Sequence, residues 1–269
     1  MDRGRWEYIL VRNPDRGTSR LTPKTEEPDE STSRREAGYQ RSGAVRHVTE
    51  ARPLRLAHRG DHRRAPENTI AAFDAAIANP ACDGIEFDVR LSSDGVPVVY
   101  HDPDLLRIHG RPERVDELTA AALQEIGVPS LQEVLAAAGR RAFLDVELKA
   151  DLGSAVVEVM VAGRGPDLDR SAVSSFEPEA LEAIARLAPR WPRWLVANQL
   201  DSVVAAVAKD LRCTAVAIHW QSIDPGAVRV AKAADLEVVA WPVRQRPTYD
   251  RLARIGVSAV CVTGAAVAA

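Results

Sequence analysis

The sequence predicts an α/β chain closed into a TIM-type (β/α)8 barrel with a hairpin after its second strand, and three observations predict it. From Leu54 onward, short apolar runs rich in β-branched residues alternate with Ala-rich amphipathic stretches, the pattern of repeated βα units around a parallel sheet. Nine such runs occur, one more than the barrel needs. The second and third are joined only by Ser92-Ser93-Asp94-Gly95, a turn sequence far shorter than the dozen or so residues of a parallel crossover. The third run must therefore fold back on the second, and the other eight can close the barrel.

In order, the strands are expected to begin near Leu54, Gly84, Val96, Ala142, Ser171, Trp194, Thr214, Glu237 and Val257. Asn68 or Thr69 can cap a helix that runs to about Asn79, where Pro80 stops it. Pro129-Ser130 opens a helix over Leu131–Ala138 that ends at Gly139. Further helices are expected near Gly153, Pro178, Asp201, Pro225 and Pro247. The stretch from Pro103 to Val128 is less regular and reads as an excursion over the rim. A turn centred on Asp94-Gly95 would set Asp88 opposite His101.

Composition narrows the class. With 269 residues, 46% of them hydrophobic, the chain can build one barrel-sized core. A net charge of -3 argues against nucleic acid or an anionic membrane as the main partner. Cys82, Cys213 and Cys261 are odd in number and form no CxxC pair, which fits a reducing compartment and neither a disulfide framework nor a zinc site. No apolar run is long enough to span a bilayer, and the N-terminus lacks a secretion signal's apolar core, so the expected location is cytoplasmic. Residues 1–50 are polar and aperiodic apart from a patch at Trp6–Val11, and are expected to be a disordered extension preceding a catalytic domain over residues 51–269.

The chemistry-bearing residues fall at the ends of the early strands. The first run ends in His58-Arg59-Gly60: a titratable base, a cation that can grip phosphate oxygens in parallel, and a flexible turn. A buried histidine beside a surface arginine is the plainer alternative. Glu86 and Asp88, one residue apart, share a strand face, which is either exposed or turned into the barrel; carboxylates inside a barrel call for a cation, and oxygen ligands suit Mg²⁺ or Ca²⁺. The returning strand brings His101, a second imidazole, as acid/base phosphodiester cleavage requires. Asp102 either orients His101 or begins the next turn, and the turn is the slightly favoured reading. Asp145, Glu147 and Lys149 again share one face, offering a third carboxylate and a second phosphate-binding cation, or a simple ion pair.

As a set, His58-Arg59-Gly60, Ala65-Pro66-Glu67-Asn68-Thr69, Glu86-Phe87-Asp88-Val89, Asp94-Gly95, His101-Asp102, Glu147-Leu148-Lys149 and Ser175-Phe176 resemble the glycerophosphodiester phosphodiesterase family over most of residues 54–262. The resemblance implies a barrel with a family insertion after the hairpin. It implies a divalent metal on Glu86, Asp88 and Glu147, catalysis by His58 and His101, and phosphate held by Arg59 and Lys149. The reaction implied is attack of the neighbouring glycerol hydroxyl on phosphorus, then hydrolysis of the cyclic phosphate, releasing an alcohol and glycerol 3-phosphate from a small phosphodiester. Late motifs depart from the family: Trp241 is followed by Pro242 and Arg244, and the last strand runs into Thr263-Gly264 in place of an Asp.

Trp241 and Phe176 could wall the pocket, although a packing role is the commoner fate of a buried Trp. His219 and Trp220 are read as packing or rim residues, and Arg63 and Arg64 as an exposed basic turn that could also raise the potential at the mouth. Two rival functions remain at this point: a phosphodiesterase acting on lysophospholipids, which would want an apolar entrance helix that the mixed stretch Leu105–Val128 does not offer, and a catalytically silent barrel that binds a phosphorylated metabolite.

Overall fold

A computed structural model describes residues 52–267. The expected N-terminal extension, with its Trp6–Val11 patch, lies outside the described residues. Eight parallel strands close on one another: β1 (Leu54–His58), β2 (Gly84–Leu91), β4 (Phe143–Leu148), β5 (Ser171–Ser175), β6 (Arg193–Ala197), β7 (Ala215–His219), β8 (Glu237–Val243) and β9 (Ala259–Val262), with β1 pairing both β9 and β2. The extra strand, β3 (Pro97–Val99), lies antiparallel on β2 outside the ring. The (β/α)8 barrel and its hairpin are as the sequence predicts.

The hairpin register differs from expectation by one residue. Val89 pairs with Val99 and Leu91 with Pro97, and Tyr100 N donates to Asp88 O at 3.0 Å, so Tyr100, not His101, faces Asp88. The reason is a three-residue loop. Ser92 N donates to Val96 O, leaving Ser93-Asp94-Gly95 as the connection, with Gly95 at φ +76° supplying the left-handed residue such loops need. Asp94 also takes the Ser92 hydroxyl and the Ala120 N–H, tying the loop to the excursion.

Helices cover the outer face, and local chemistry sets their ends. Thr69 Oγ1 caps α1 (Ile70–Ile77), and a reciprocal Ser130–Glu133 box caps α4 (Leu131–Ala138). In the 103–128 excursion, α2 (Leu106–His109) and α3 (Ala120–Glu125) flank a short 3-10 turn at Val115–Glu117. That segment has its own small core of Val98, Tyr100, Leu105, Val115, Leu123 and Val128. Next come α5 (Gly153–Arg164), α6 (Pro178–Leu187), α7 (Ser202–Asp210) capped by Asp201, α8 (Pro225–Ala233) capped by Asp224, and α9 (Arg246–Ile255). After β9 only a 3-10 turn at Gly264–Ala266 follows among the described residues. No helix among them is long and apolar enough to cross a membrane.

Strand alternation divides the side chains between two cores. Ala57, Ile85, Phe87, Leu144 and Val146 face the helices, whereas Leu56, Trp194, Val196, Ala217, Val239 and Cys261 fill the barrel. The inward set continues at the C-terminal ends of the strands as polar residues, and there the chemistry concentrates.

Candidate active site

Sheet register assembles the acidic cluster. His58 is aligned with Glu86, Glu86 with Asp145, and Asp88 with Glu147, so inward side chains of three adjacent strands lie side by side. One oxygen each from Glu86, Asp88 and Glu147 lies within 4.8 Å of the others. Buried carboxylates this close repel one another unless cations intervene. Two do: Lys149 Nζ sits 2.7 Å from Asp88 Oδ1 and also pairs with Glu147, while Arg59 Nε sits 3.2 Å from Asp88 Oδ2. Burial works against ionisation of Asp88, but Lys149 and Arg59 outweigh it and hold the carboxyl well below the usual range. Glu86 has less help. Burial first, then Asp88 and Glu147, push it well above the carboxylate range, and its Oε1 is buried with no hydrogen-bond partner. An orphaned carboxylate oxygen facing two further carboxylates fits a hard divalent cation.

The turn after β1 shapes the cationic side. Arg59 adopts φ +57°, a left-handed conformation uncommon for a side-chain-bearing residue, and its N–H donates to both the Glu86 carbonyl and Glu86 Oε2 (2.8 and 3.1 Å). Gly60 follows at φ +82°, and a Cβ there would lie 2.7 Å from the Ala72 backbone. Asn68, buried and also left-handed at φ +58°, donates from Nδ2 to Asp88 Oδ2 at 2.8 Å.

His58 Nε2 lies 3.9 Å from Glu86 Oε2. Burial, assisted by Arg59 and opposed by Asp88, with smaller contributions from Lys149 and His101, pushes its imidazole down to about 3, so it is neutral and able to accept a proton. His101 follows β3, the hairpin strand paired to β2, and β2 carries Glu86 and Asp88. His101 Nδ1 lies 2.6 Å from Asp102 Oδ1, so Asp102 orients the ring, against the slight sequence preference for a mere turn residue. Arg90 fixes the loop through two bonds to the His101 carbonyl.

Residues that sequence reasoning passed over complete the shell. Arg107, on the excursion helix α2, reaches Asp102 Oδ2 (2.5 Å) and Glu67 Oε1 (2.6 Å), and Glu67 in turn holds Arg59 (2.8 Å). Burial of Glu67 is outweighed by Arg107 and Arg59, which bring it down to about 2. Glu67 stood inside a recognised motif without an assigned role, and Asn68 only as an alternative cap for α1, which Thr69 fills. Arg107 had no signal, because Glu67 lies 40 residues away and nearby Asp102 is met only through the fold of an aperiodic excursion. Asp145, on the same strand face as Glu147, is not among the three clustered oxygens; it takes the Ser174 hydroxyl at 2.6 Å, and burial pushes it up to about 7.

The cavity beside the carboxylates is lined by His58, Glu86, Glu147, Ser174, Trp241 and Cys261, among others. Trp241 is a wall residue, fixed by its Nε1–H to the Ala217 carbonyl (3.0 Å) and packed edge-on against Phe176 and His219. Phe176 backs that wall. Thr263, where the resembling family has an acid, meets His62 Nε2. Arg63 and Arg64 line a separate concavity, where Arg63 is paired with Asp61.

Comparisons with known proteins bear on the family and the fold. Residues 58–263 match the sequence profile of the glycerophosphoryl diester phosphodiesterase family. A glycerophosphodiester phosphodiesterase of Caldanaerobacter subterraneus subsp. tengcongensis is 28% identical over 233 residues, covering 77% of this chain and 92% of the relative. Among solved structures, an Oleispira antarctica phosphodiesterase in complex with the product sn-glycerol-3-phosphate superposes with a TM-score of 0.71 at 29% identity, over 78% of this chain and 93% of that one. A Thermotoga maritima glycerophosphodiester phosphodiesterase shares the fold at TM-score 0.69 and 23% identity, over 81% of this chain and 96% of its own. With a profile match running from the first catalytic-face histidine to the end of the last strand, the chain belongs to the glycerophosphoryl diester phosphodiesterase family, a family of phosphoric diester hydrolases.

Proposed function

We propose that this protein hydrolyses glycerophosphodiesters to an alcohol and glycerol 3-phosphate, using a divalent metal and a pair of histidines. The observation that carries the reading is the convergence of Glu86, Asp88 and Glu147 within 4.8 Å, beside His58 and two buried cations. The Oleispira enzyme with sn-glycerol-3-phosphate bound supports the product assignment.

In this reading Glu86, Asp88 and Glu147 hold the ion, Mg²⁺ or Ca²⁺, which when bound supplies Lewis-acid polarisation of the phosphoryl group. Arg59 and Lys149 hold the phosphate oxygens. Neutral His58 takes the proton of the neighbouring glycerol hydroxyl as that oxygen attacks phosphorus. His101, its Nδ1 oriented by Asp102, presents Nε2 and returns a proton to the departing alkoxide as the ester bond breaks. Water then opens the cyclic phosphate with the histidine roles reversed, leaving glycerol 3-phosphate and both imidazoles as they began. Trp241, backed by Phe176, walls the glycerol or alcohol side.

The test is release of glycerol 3-phosphate from glycerophosphocholine and related diesters across a panel of divalent metals. Turnover should depend on metal, stop with chelator, and be lost in His58→Ala. Tight binding of diester without turnover under any metal would leave the silent barrel as the correct account.

A further inference from the structure

A second concavity opens outside the barrel, lined by Arg52 and Arg55 at the start of β1, Arg63 and Arg64 from the turn after it, Asn79 at the end of α1, and Arg246 at the head of α9. Arg55 points outward by strand alternation, since Leu56 lies in the barrel core. Three of these arginines have carboxylate partners: Arg52 with Asp83 (2.6 Å), Arg63 with Asp61 (2.7 Å) and Arg246 with Asp250 (2.8 Å). Two remain. Arg64 reaches Asp61 only at 3.9 Å, an oxygen already engaged by Arg63, and its side chain is 75% exposed.

Arg55 is the unusual one. It is 3% exposed, its guanidinium lies 4.3 Å over the Tyr249 ring, and its Nε is buried with no hydrogen-bond partner. A ring face offsets part of the cost of a desolvated cation but leaves the buried Nε–H unmade, and an unmade donor on a buried charge is expensive. Planar, divergent donors match a tetrahedral oxyanion, to which guanidinium binds through parallel bonds.

We propose that this groove binds a small molecule carrying a phosphate monoester, with Arg55 and Arg64 supplying the charge. Two surplus cations match a group of about −1.5 to −2 charges at neutral pH. The chain's net charge of -3 disfavours a long polyanion in the same groove. The site is separate from the one proposed for catalysis and does not depend on that reading.

The experiment is calorimetric titration of inorganic phosphate, and separately of glycerol 3-phosphate, into the full chain in chelator, alongside Arg55→Gln, Arg64→Gln and Lys149→Gln. Binding that survives Lys149→Gln and weakens about tenfold or more in Arg55→Gln, as loss of a charge-assisted pair predicts, supports the site. A smaller weakening is expected in Arg64→Gln. If Arg55→Gln does not fold, the exposed Arg64→Gln decides alone. Phosphate binding unchanged in both arginine variants, binding abolished by Lys149→Gln, or capture of a Glu-rich peptide with no response to phosphate would overturn the proposal.

Discussion

Lys149 and Arg59 hold opposite oxygens of Asp88, Nζ at 2.7 Å from Oδ1 and Nε at 3.2 Å from Oδ2, so one fully buried carboxylate anchors both candidate phosphate-binding cations. Asp88→Asn removes that anchor and the carboxylate charge of a candidate metal ligand together. Because Arg59 keeps Glu67 and Lys149 keeps Glu147, the expected loss in chelator is about 3 kcal/mol, at the lower end for a broken buried pair. Urea unfolding measures it, and metal should no longer raise the midpoint.

The assignment of roles to the histidines makes opposite predictions for leaving groups. Both His58→Ala and His101→Ala should lose about 10² to 10⁴ in kcat on an alkyl diester. On a nitrophenyl diester, whose phenolate departs without a proton, His101→Ala should recover most of its rate and His58→Ala should not. Equal recovery in both would show that the roles are not divided this way.

Asp145 should set a pH dependence of stability. Its folded value, pushed up to about 7 by burial, exceeds its ordinary value, so its contribution is fully present at low pH and is lost as pH rises from about 4 through 7. Asp145→Asn should therefore be progressively more stable than the native chain across that window, by about 4 kcal/mol at most. His58 and Asp88, both held below their ordinary values, act in the opposite sense but are common to the two proteins and cancel in the comparison. A melting-temperature difference that stays flat between pH 4 and 8 would contradict the assignment.

Gly60→Ala tests the turn that aims Arg59. Its φ of +82° and the 2.7 Å approach of a Cβ to Ala72 leave no room for relaxation, because the obstruction is backbone. We expect a loss of about 2 kcal/mol or more in thermal or urea unfolding, with KM raised through displacement of Arg59.

The bridge made by Arg107 between Glu67 and Asp102 should matter for rate more than for stability, since the side chain is half exposed. Arg107→Gln is expected to lower kcat by about tenfold, as loss of an orienting bond to a working group does, with unfolding midpoints little changed. Activity equal to the native chain would show that the bridge is incidental.

Much of this site was legible because strand chemistry is local. One-apart spacing placed Glu86 with Asp88 and Glu147 with Lys149 on one face, and the shortness of Ser92–Gly95 forced the hairpin. The hairpin register was not legible to one residue, since a two-residue and a three-residue loop through Asp94-Gly95 share the same sequence signal and only pairing distinguishes them. The role of Asp102 and the part played by Arg107 depend on where the excursion folds, which no periodicity in residues 103–128 reports. Outward-facing Arg55 gave no signal in the sequence; its unpartnered Nε shows only once its neighbours are placed.

The strand that carries His101 hydrogen-bonds to β2 alone within the sheet and takes no part in closing the cylinder, whereas every acidic oxygen of the cluster rises from a staved wall. His101 and the acidic cluster thus stand on separate footings. The 103–128 segment braces His101 through Arg107 and Asp102, and reaches the acidic cluster only at second hand, through Glu67 and Arg59.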